Sequence, residues 1–196
     1  MIKRVIINIL LLVLTILEFS KAYLTPELHE IIGILLILLL IIHLLQNRKY
    51  IKSISGKNRK ILYFTNILLL ITFSATMILG LLSSQLIPIL NIHLIITNYL
   101  HKILAYITLI FVSIHLGQNL NKMLYNINIR VKQVITVIIS IFGIISFMDV
   151  DYINHITGNI GFATNNTNIF INSLEYLSIV LAIALITHLI TCRVQN

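Results

Sequence analysis

Hydrophobic residues come in runs of about 20, separated by short polar or basic stretches. A helical run of this length spans the hydrocarbon core of a bilayer, and only two prolines and seven glycines interrupt the chain. The pattern predicts an all-α fold, a polytopic transmembrane helix bundle of about six spans that makes a single transmembrane domain of residues 1–196. The predicted spans are Val5–Leu17 with an extension to Tyr23, Leu28–Leu45, Ile61–Leu82, Tyr99–Gly117, Val134–Met148 and Asn172–Thr191.

The stretches between the runs differ in character. Thr25 is a good helix N-cap with Pro26 just inside the second span. A basic connection follows that span, and residues 83–98 are apolar but broken by Pro88, which predicts an interfacial or re-entrant segment. The first run follows Lys3 and Arg4 and also fits a signal peptide, but a small-x-small cleavage site is missing, so a retained helix is expected.

Composition agrees with an integral membrane protein, since 58% of the residues are hydrophobic and 10% are charged. Cys192 is the only cysteine, which excludes an intrachain disulfide, a four-cysteine iron–sulfur site and covalent haem attachment through Cys-x-x-Cys-His. Any haem would therefore be bound non-covalently.

The net charge of +8 reflects membrane topology rather than nucleic-acid binding. In a six-span arrangement most basic residues fall on one side, which is the cytoplasmic side by the positive-inside rule. We therefore expect a multi-pass protein of the cell membrane (plasma or inner) with both termini in the cytoplasm. The basic residues predicted inside are Lys3, Arg4, Arg48, Lys49, Lys52, Lys57, Arg59, Lys60, Lys122, Arg130, Lys132 and Arg193; Lys21 and Lys102 fall outside, with the acids Glu18, Glu27, Glu30, Asp149, Asp151 and Glu175.

One stretch of the chain, residues 28–47, returns 72 positions later as residues 100–119, within predicted internal repeats 25–96 and 97–168. Each copy holds two histidines fourteen residues apart, a spacing that puts both on one helix face about 21 Å apart. The polar matches are His29 with His101, His43 with His115, Gln46 with Gln118 and Asn47 with Asn119.

With one span between them, the two copies run in the same direction, so His29 faces His101 near the outer surface and His43 faces His115 near the inner one. Two facing imidazoles at each level match the axial ligation of a b-type haem. Zinc would need three or four ligands, and only Glu30 lies near the outer pair. The pattern predicts two haem b groups, each with two histidine ligands to the iron.

Small residues follow each outer histidine by four positions. Gly33 and Ala105 would leave a hollow where a flat macrocycle could approach the backbone, so both are predicted to bind the cofactor. Lys102 and Arg48 lie where haem propionates could be neutralised. His188 is expected to make a helix contact, and His93 and His155 fall in outer connections.

Other functions remain open at this point. A transporter or proton relay could use the same histidines, although relays usually have intramembrane acids. A structural or assembly subunit is a third class. The chain carries no FAD or NAD(P)H fingerprint and no identified catalytic substrate site, so we expect an electron-transfer subunit of an oxidoreductase system whose status as an enzyme is open.

The motif of the first copy, Leu28, His29, Gly33, His43, Leu44, Asn47 and Arg48, resembles the flavinylation-associated cytochrome family. The second copy, Leu100, His101, His115, Leu116 and Asn119, is similar but has Ala105 for the glycine and Leu120 for the basic residue. The resemblance covers roughly residues 5–150. It implies a bis-haem membrane cytochrome that passes electrons across the membrane, in some systems to extracytoplasmic proteins carrying covalent flavin. Ferric reductase-like and quinol-oxidising b-type subunits share the scheme, which adds quinone to the expected partners beside membrane lipid.

Overall fold

The computed structural model describes residues 2–54, 60–87, 95–120, 128–159 and 168–194, and within these ranges it contains helices and no strand. The predicted all-α class is thus confirmed. The elements are α1 (Ile2–Phe19), a 3-10 turn (Lys21–Tyr23), α2 (Pro26–Ile54), α3 (Lys60–Leu82), α4 (Ile95–Asn119), α5 (Ile129–Asp149), α6 (Tyr152–Thr157) and α7 (Ile169–Val194).

Five of these helices, α2, α3, α4, α5 and α7, are long and apolar enough to cross a membrane. Many of their large apolar side chains point away from the bundle; on α5, Val137 is 59% exposed and Phe142 is 61% exposed. Such surfaces suit lipid and not water, so the chain is a multi-pass membrane protein. Helix α1 has 18 residues that include Lys3, Arg4 and Glu18, and it is not among the five, although six spans were expected.

Close helix packing in the second half of the chain depends on small residues. Gly117 of α4 lies against Ala184 of α7, and Gly143 of α5 lies against Ala182 of α7. At both glycines a Cβ atom would come within 3.0 Å of the neighbouring helix, so these positions let the backbones approach. Helix α7 is thereby held between α4 and α5 and forms the most buried part of the bundle.

An aromatic cluster closes one end of this bundle. The hydroxyl groups of Tyr106 and Tyr176 are 2.8 Å apart, and Tyr152 donates a hydrogen bond of 2.8 Å to the carbonyl of Tyr106. Phe19 at the end of α1 packs edge-on against Tyr106 with ring centroids 5.2 Å apart. The cluster joins α1, α4, α6 and α7 beside the first pair of repeated histidines.

The helix ends depart from the expected spans in several places, among them the start of α5, which lies at Ile129 and not at Val134. The N-cap at Thr25 is confirmed, since its hydroxyl accepts the backbone N–H of Leu28. However, α2 continues to Ile54 through residues expected to form a loop, because lysine and arginine are good helix formers and a helix can extend beyond the membrane. Helix α4 begins at Ile95, four residues early, and α6 forms within a polar connection. The predictions for Lys57, Arg59, Pro88, His93 and Lys122 fall outside the described residues.

Candidate functional site

The four repeated histidines lie in two facing pairs. The ring centroids of His29 and His101 are 6.2 Å apart, and those of His43 and His115 are 6.4 Å apart. Because residue 29 faces 101 and residue 43 faces 115, α2 and α4 run in the same direction. The structure thus brings these side chains together in the pairs that the sequence predicts.

The helices that carry the pairs are not packed directly on each other. Among the described residues, α4 packs closely against α3 and α7, and α2 against α1, whereas α2 and α4 approach one another at few points. A gap therefore separates α2 from α4, and the two histidine pairs project into it.

Each histidine of the His29–His101 pair is held at Nδ1 by a different neighbouring helix. Nδ1 of His101 donates a hydrogen bond of 2.9 Å to the backbone carbonyl of Thr76 on α3. Nδ1 of His29 lies 2.6 Å from Oε2 of Glu18 on α1, and both side chains are about 85% buried, with exposures of 15% and 14%. One ring therefore has a neutral partner and the other has a carboxylate.

The His43–His115 pair repeats this arrangement with amide partners. Nδ1 of His43 is 3.0 Å from Oδ1 of Asn8 on α1, and Nδ1 of His115 is 2.7 Å from Oδ1 of Asn66 on α3. On both supporting helices the two partners are ten residues apart, 8 and 18 on α1 and 66 and 76 on α3. Helix α1 thus supports α2 as α3 supports α4, and both supporting helices run antiparallel to the helix they support.

These contacts determine, for His43, His101 and His115, which ring nitrogen keeps a lone pair that could bind a metal. A carbonyl oxygen only accepts, so the proton of His101 lies on Nδ1. Asparagine Oδ1 places the proton of His43 and of His115 on Nδ1 in the same way. The lone pair on Nε2 then points away from the supporting helix. Metal-binding histidines commonly carry such a partner on the nitrogen that does not bind the metal.

The repeated asparagines make matching contacts in the two copies. Nδ2 of Asn47 donates a hydrogen bond of 2.8 Å to the carbonyl of His43, and Nδ2 of Asn119 donates one of 2.7 Å to the carbonyl of His115. Each bond runs back one helical turn and satisfies a carbonyl near the polar end of the apolar stretch. The asparagine match therefore has a local backbone role at the second pair.

Two cavities flank the His29–His101 pair. The larger has a volume of about 300 Å³ and includes Ala105 in its wall, and the smaller has about 60 Å³ and includes Gly33. The two residues predicted to leave a hollow thus border different cavities on either side of the same pair. The large cavity also contacts Lys21, Lys102, Tyr106, His155 and Tyr176.

Gly80 on α3 makes room for the ring of His101. A Cβ atom at this position would lie 3.0 Å from Cε1 and 3.2 Å from Nδ1 of that histidine. A Cβ at Gly33 would meet only Oε1 of Glu18 at 4.0 Å, which is ordinary contact. Gly80 therefore lets the ring of His101 pack closely against α3, and Gly33 borders open space.

Apolar side chains separate the two histidine pairs. Leu36 on α2 and Leu109 on α4 are each 1% exposed, and Phe73 on α3 is 8% exposed. All three line the floor of the large cavity. Buried apolar side chains thus lie between the two levels of histidines, together with the hydroxyl groups of Thr76 and Thr108, which are 3.1 Å apart.

The remaining histidines have other surroundings. His188 is 1% exposed on α7 and hydrogen-bonds with the backbone of Gly117, which is the helix contact expected for it. His155 stacks on Tyr106 with ring centroids 4.5 Å apart and borders the large cavity. Its burial lowers its pKa, and the nearby Lys102 lowers it further, while Asp151 opposes the shift. Arg48 is exposed on α2.

Sequence reasoning missed the four partners of the histidines and Gly80. Asn8, Glu18 and Asn66 are polar residues within apolar helices, which was a usable signal, whereas Thr76 acts through its backbone carbonyl and gave none. Gly80 gave no signal of its own, because a glycine in a membrane helix is common.

Within the described ranges, histidine, cysteine, aspartate and glutamate do not form any group of three or more that could hold a metal ion. Each pair offers two imidazoles, which is too few for a tetrahedral zinc site. In comparisons with known proteins, the chain matches no protein-family model, no curated protein and no solved structure. The resemblance to the flavinylation-associated cytochrome family therefore rests on the motif residues of the two copies.

Proposed function

We propose that the chain is a di-haem b-type membrane cytochrome that carries electrons across the membrane. His29 and His101 would hold an outer haem, and His43 and His115 an inner one. The donor would be on the cytoplasmic side or a quinol, and the acceptor an extracytoplasmic redox protein such as a flavinylated protein or reductase. The observation that carries the proposal is the presence of two facing histidine pairs in which Nδ1 of three rings is hydrogen-bonded to a neighbouring helix and Nδ1 of His29 lies 2.6 Å from the Glu18 carboxylate.

The spacing within each pair supports a metal centre that both rings would hold. The ring centroids are 6.2 Å and 6.4 Å apart, so a group between the rings would be within reach of both histidines. The gap between α2 and α4 and the cavities beside the first pair offer room for a macrocycle.

A bound haem would supply one-electron oxidation and reduction of its iron. The residues of the chain would bind and orient it: the histidines through Nε2, and Glu18, Thr76, Asn8 and Asn66 by fixing the ring planes. Leu36, Phe73 and Leu109 would supply apolar surface between the pairs. Lys21 and Lys102 border the large cavity, where they would neutralise propionate groups.

The position of the pairs along the helices supports transfer across a bilayer. Fourteen residues of helix separate the pairs by about 21 Å within a hydrocarbon core of about 30 Å. With α1 as a sixth span antiparallel to α2, the basic residues lie mainly on the side of the His43–His115 pair. The positive-inside rule would then place both termini and the inner haem at the cytoplasmic side.

Electron transfer can be tested in liposomes. Purified full-length protein is reconstituted with ferricyanide trapped inside, and dithionite is added outside. We expect the ferricyanide absorbance to fall much faster than in protein-free liposomes, and His101→Ala or His115→Ala to slow the loss by at least about tenfold, because each removes an axial ligand.

The matched control is His188→Gln, which changes a buried histidine outside the pairs and keeps its hydrogen-bonding capacity. This variant should transfer electrons at the wild-type rate. Protein-free rates for wild type would contradict the proposal. If a trapped pH dye responds while ferricyanide does not, the proton-relay alternative is favoured instead.

A further inference from the structure

The partner of His29 differs in charge from the other three histidine partners. Asn8, Asn66 and the carbonyl of Thr76 are neutral, whereas Glu18 is a carboxylate. It is also the only acid among the residues within hydrogen-bonding or ion-pair distance of these four rings in the described part of the chain. The two supporting helices thus differ in charge at one position, the partner of His29 in the first pair.

The environment of Glu18 strengthens its electrostatic effect. Its side chain is 14% exposed, and its second oxygen, Oε1, is buried without a hydrogen-bond partner among the described residues. The approach of Oε2 to Nδ1 of His29 is 2.6 Å but is not aligned as a hydrogen bond, so the contact is mainly one of charge. A charge in such surroundings is less screened than one on a water-exposed surface.

A carboxylate at Nδ1 acts on a metal at Nε2 in two ways. Its negative charge polarises the nearby imidazole and makes the ring a stronger electron donor. It also places negative charge near the iron, which favours the oxidised state because that state carries one more positive charge. Both effects favour oxidised iron at this pair over reduced iron. Lys21 and Lys102 border the same cavity and carry the opposite charge. The effect of Glu18 is therefore measured as the difference in midpoint potential between wild type and a Glu18 variant.

Building on the proposed function, we propose that Glu18 is a positioning residue that acts through His29 to lower the midpoint potential of the outer haem. The inner haem, whose histidines have only amide partners, would not receive this effect. The two haems would thus be tuned differently by one side chain of α1.

The test is an optical redox titration of the purified full-length protein at fixed pH, with haem content measured on the same sample. Glu18→Gln keeps the size of the side chain and removes its charge. We expect the midpoint of one haem to shift upward and that of the other to remain at its wild-type value. The shifted component should be the one that is missing in His29→Ala. Glu18→Asp keeps the charge at a greater distance, and its outer midpoint should lie between wild type and Glu18→Gln.

The control is Glu27→Gln, which removes an exposed acid at the same end of the bundle. It should leave both midpoints unchanged. Unchanged midpoints in Glu18→Gln with both haems present would overturn this inference and leave the proposed function standing. Equal upward shifts in Glu18→Gln and Glu27→Gln would also overturn it, since the effect would then be general surface charge. A wild-type protein without haem would instead overturn the proposed function.

Discussion

The histidines of the two pairs are oriented by contacts on the nitrogen that faces away from the gap. An imidazole on a helix can rotate about its side-chain bonds, and a hydrogen bond at Nδ1 removes much of that freedom. Thr76 does this through a backbone carbonyl, which any residue at that position would supply. The other three partners act through side chains, Asn8 and Asn66 by hydrogen bonds and Glu18 by its charge, so their identity matters.

The close contact between Gly80 and the ring of His101 can be tested with a single substitution. Gly80→Ala would place a methyl group 3.0 Å from the ring of His101 and so push the ring from its position. We expect the outer haem to be lost to a competing apoprotein about tenfold faster than from the wild-type protein. Ser74→Ala is the control, since Ser74 lies on the same helix and borders neither cavity. Equal retention in the two variants would show that His101 does not depend on Gly80.

Two helices carry the paired histidines, and two others carry the groups that contact them. Helices α2 and α4 carry the histidines, while α1 and α3 carry their partners at the same spacing of ten residues. Glu30 adds a link between the halves: its carboxylate accepts hydrogen bonds from the hydroxyl of Ser84 and the backbone N–H groups of Gln85 and Leu86. The end of α3 is thereby fastened to α2 beside His29.

The supporting role of α3 predicts a selective effect at the inner pair. Asn66→Leu removes the acceptor of His115 while keeping the helix apolar. We expect the affinity for the inner haem to fall about 10- to 100-fold, with the outer haem retained. Asn119→Ala removes a bond to the carbonyl of the same histidine and leaves Nδ1 untouched, so it should have a smaller effect. Haem titration of the apoprotein followed by absorbance measures both variants.

The sequence predicted the helices and the pairing of the histidines because both follow from periodicity. Apolar runs of bilayer length indicate helices, and equal spacing in two parallel copies places residues level with one another. It did not predict the partners, because the contacts of Asn8 and Glu18 depend on how α1 packs against α2. The extension of α2 to Ile54 was missed because charge was taken as the end of the helix, although charged residues are compatible with helix outside a membrane.

At the scale of the whole molecule, six long helices form a bundle in which a gap between α2 and α4 is surrounded by closely packed neighbours. On one side, α7 is fixed to α4 and α5 through Gly117 and Gly143. On the other, α1 and α3 hold the histidine rings. This combination fixes the four rings through neighbouring helices and leaves cavities beside the His29–His101 pair.

The haem content of the purified protein tests whether the two histidine pairs bind two haem groups. The full-length protein is expressed with added haem and purified in detergent, and haem b is counted per chain as the pyridine haemochrome. The arrangement of the two pairs predicts about two haem b per chain, and His43→Ala should reduce the count to about one by removing the inner haem. A wild-type count of less than about one haem b per chain would contradict the proposed binding of two haem groups.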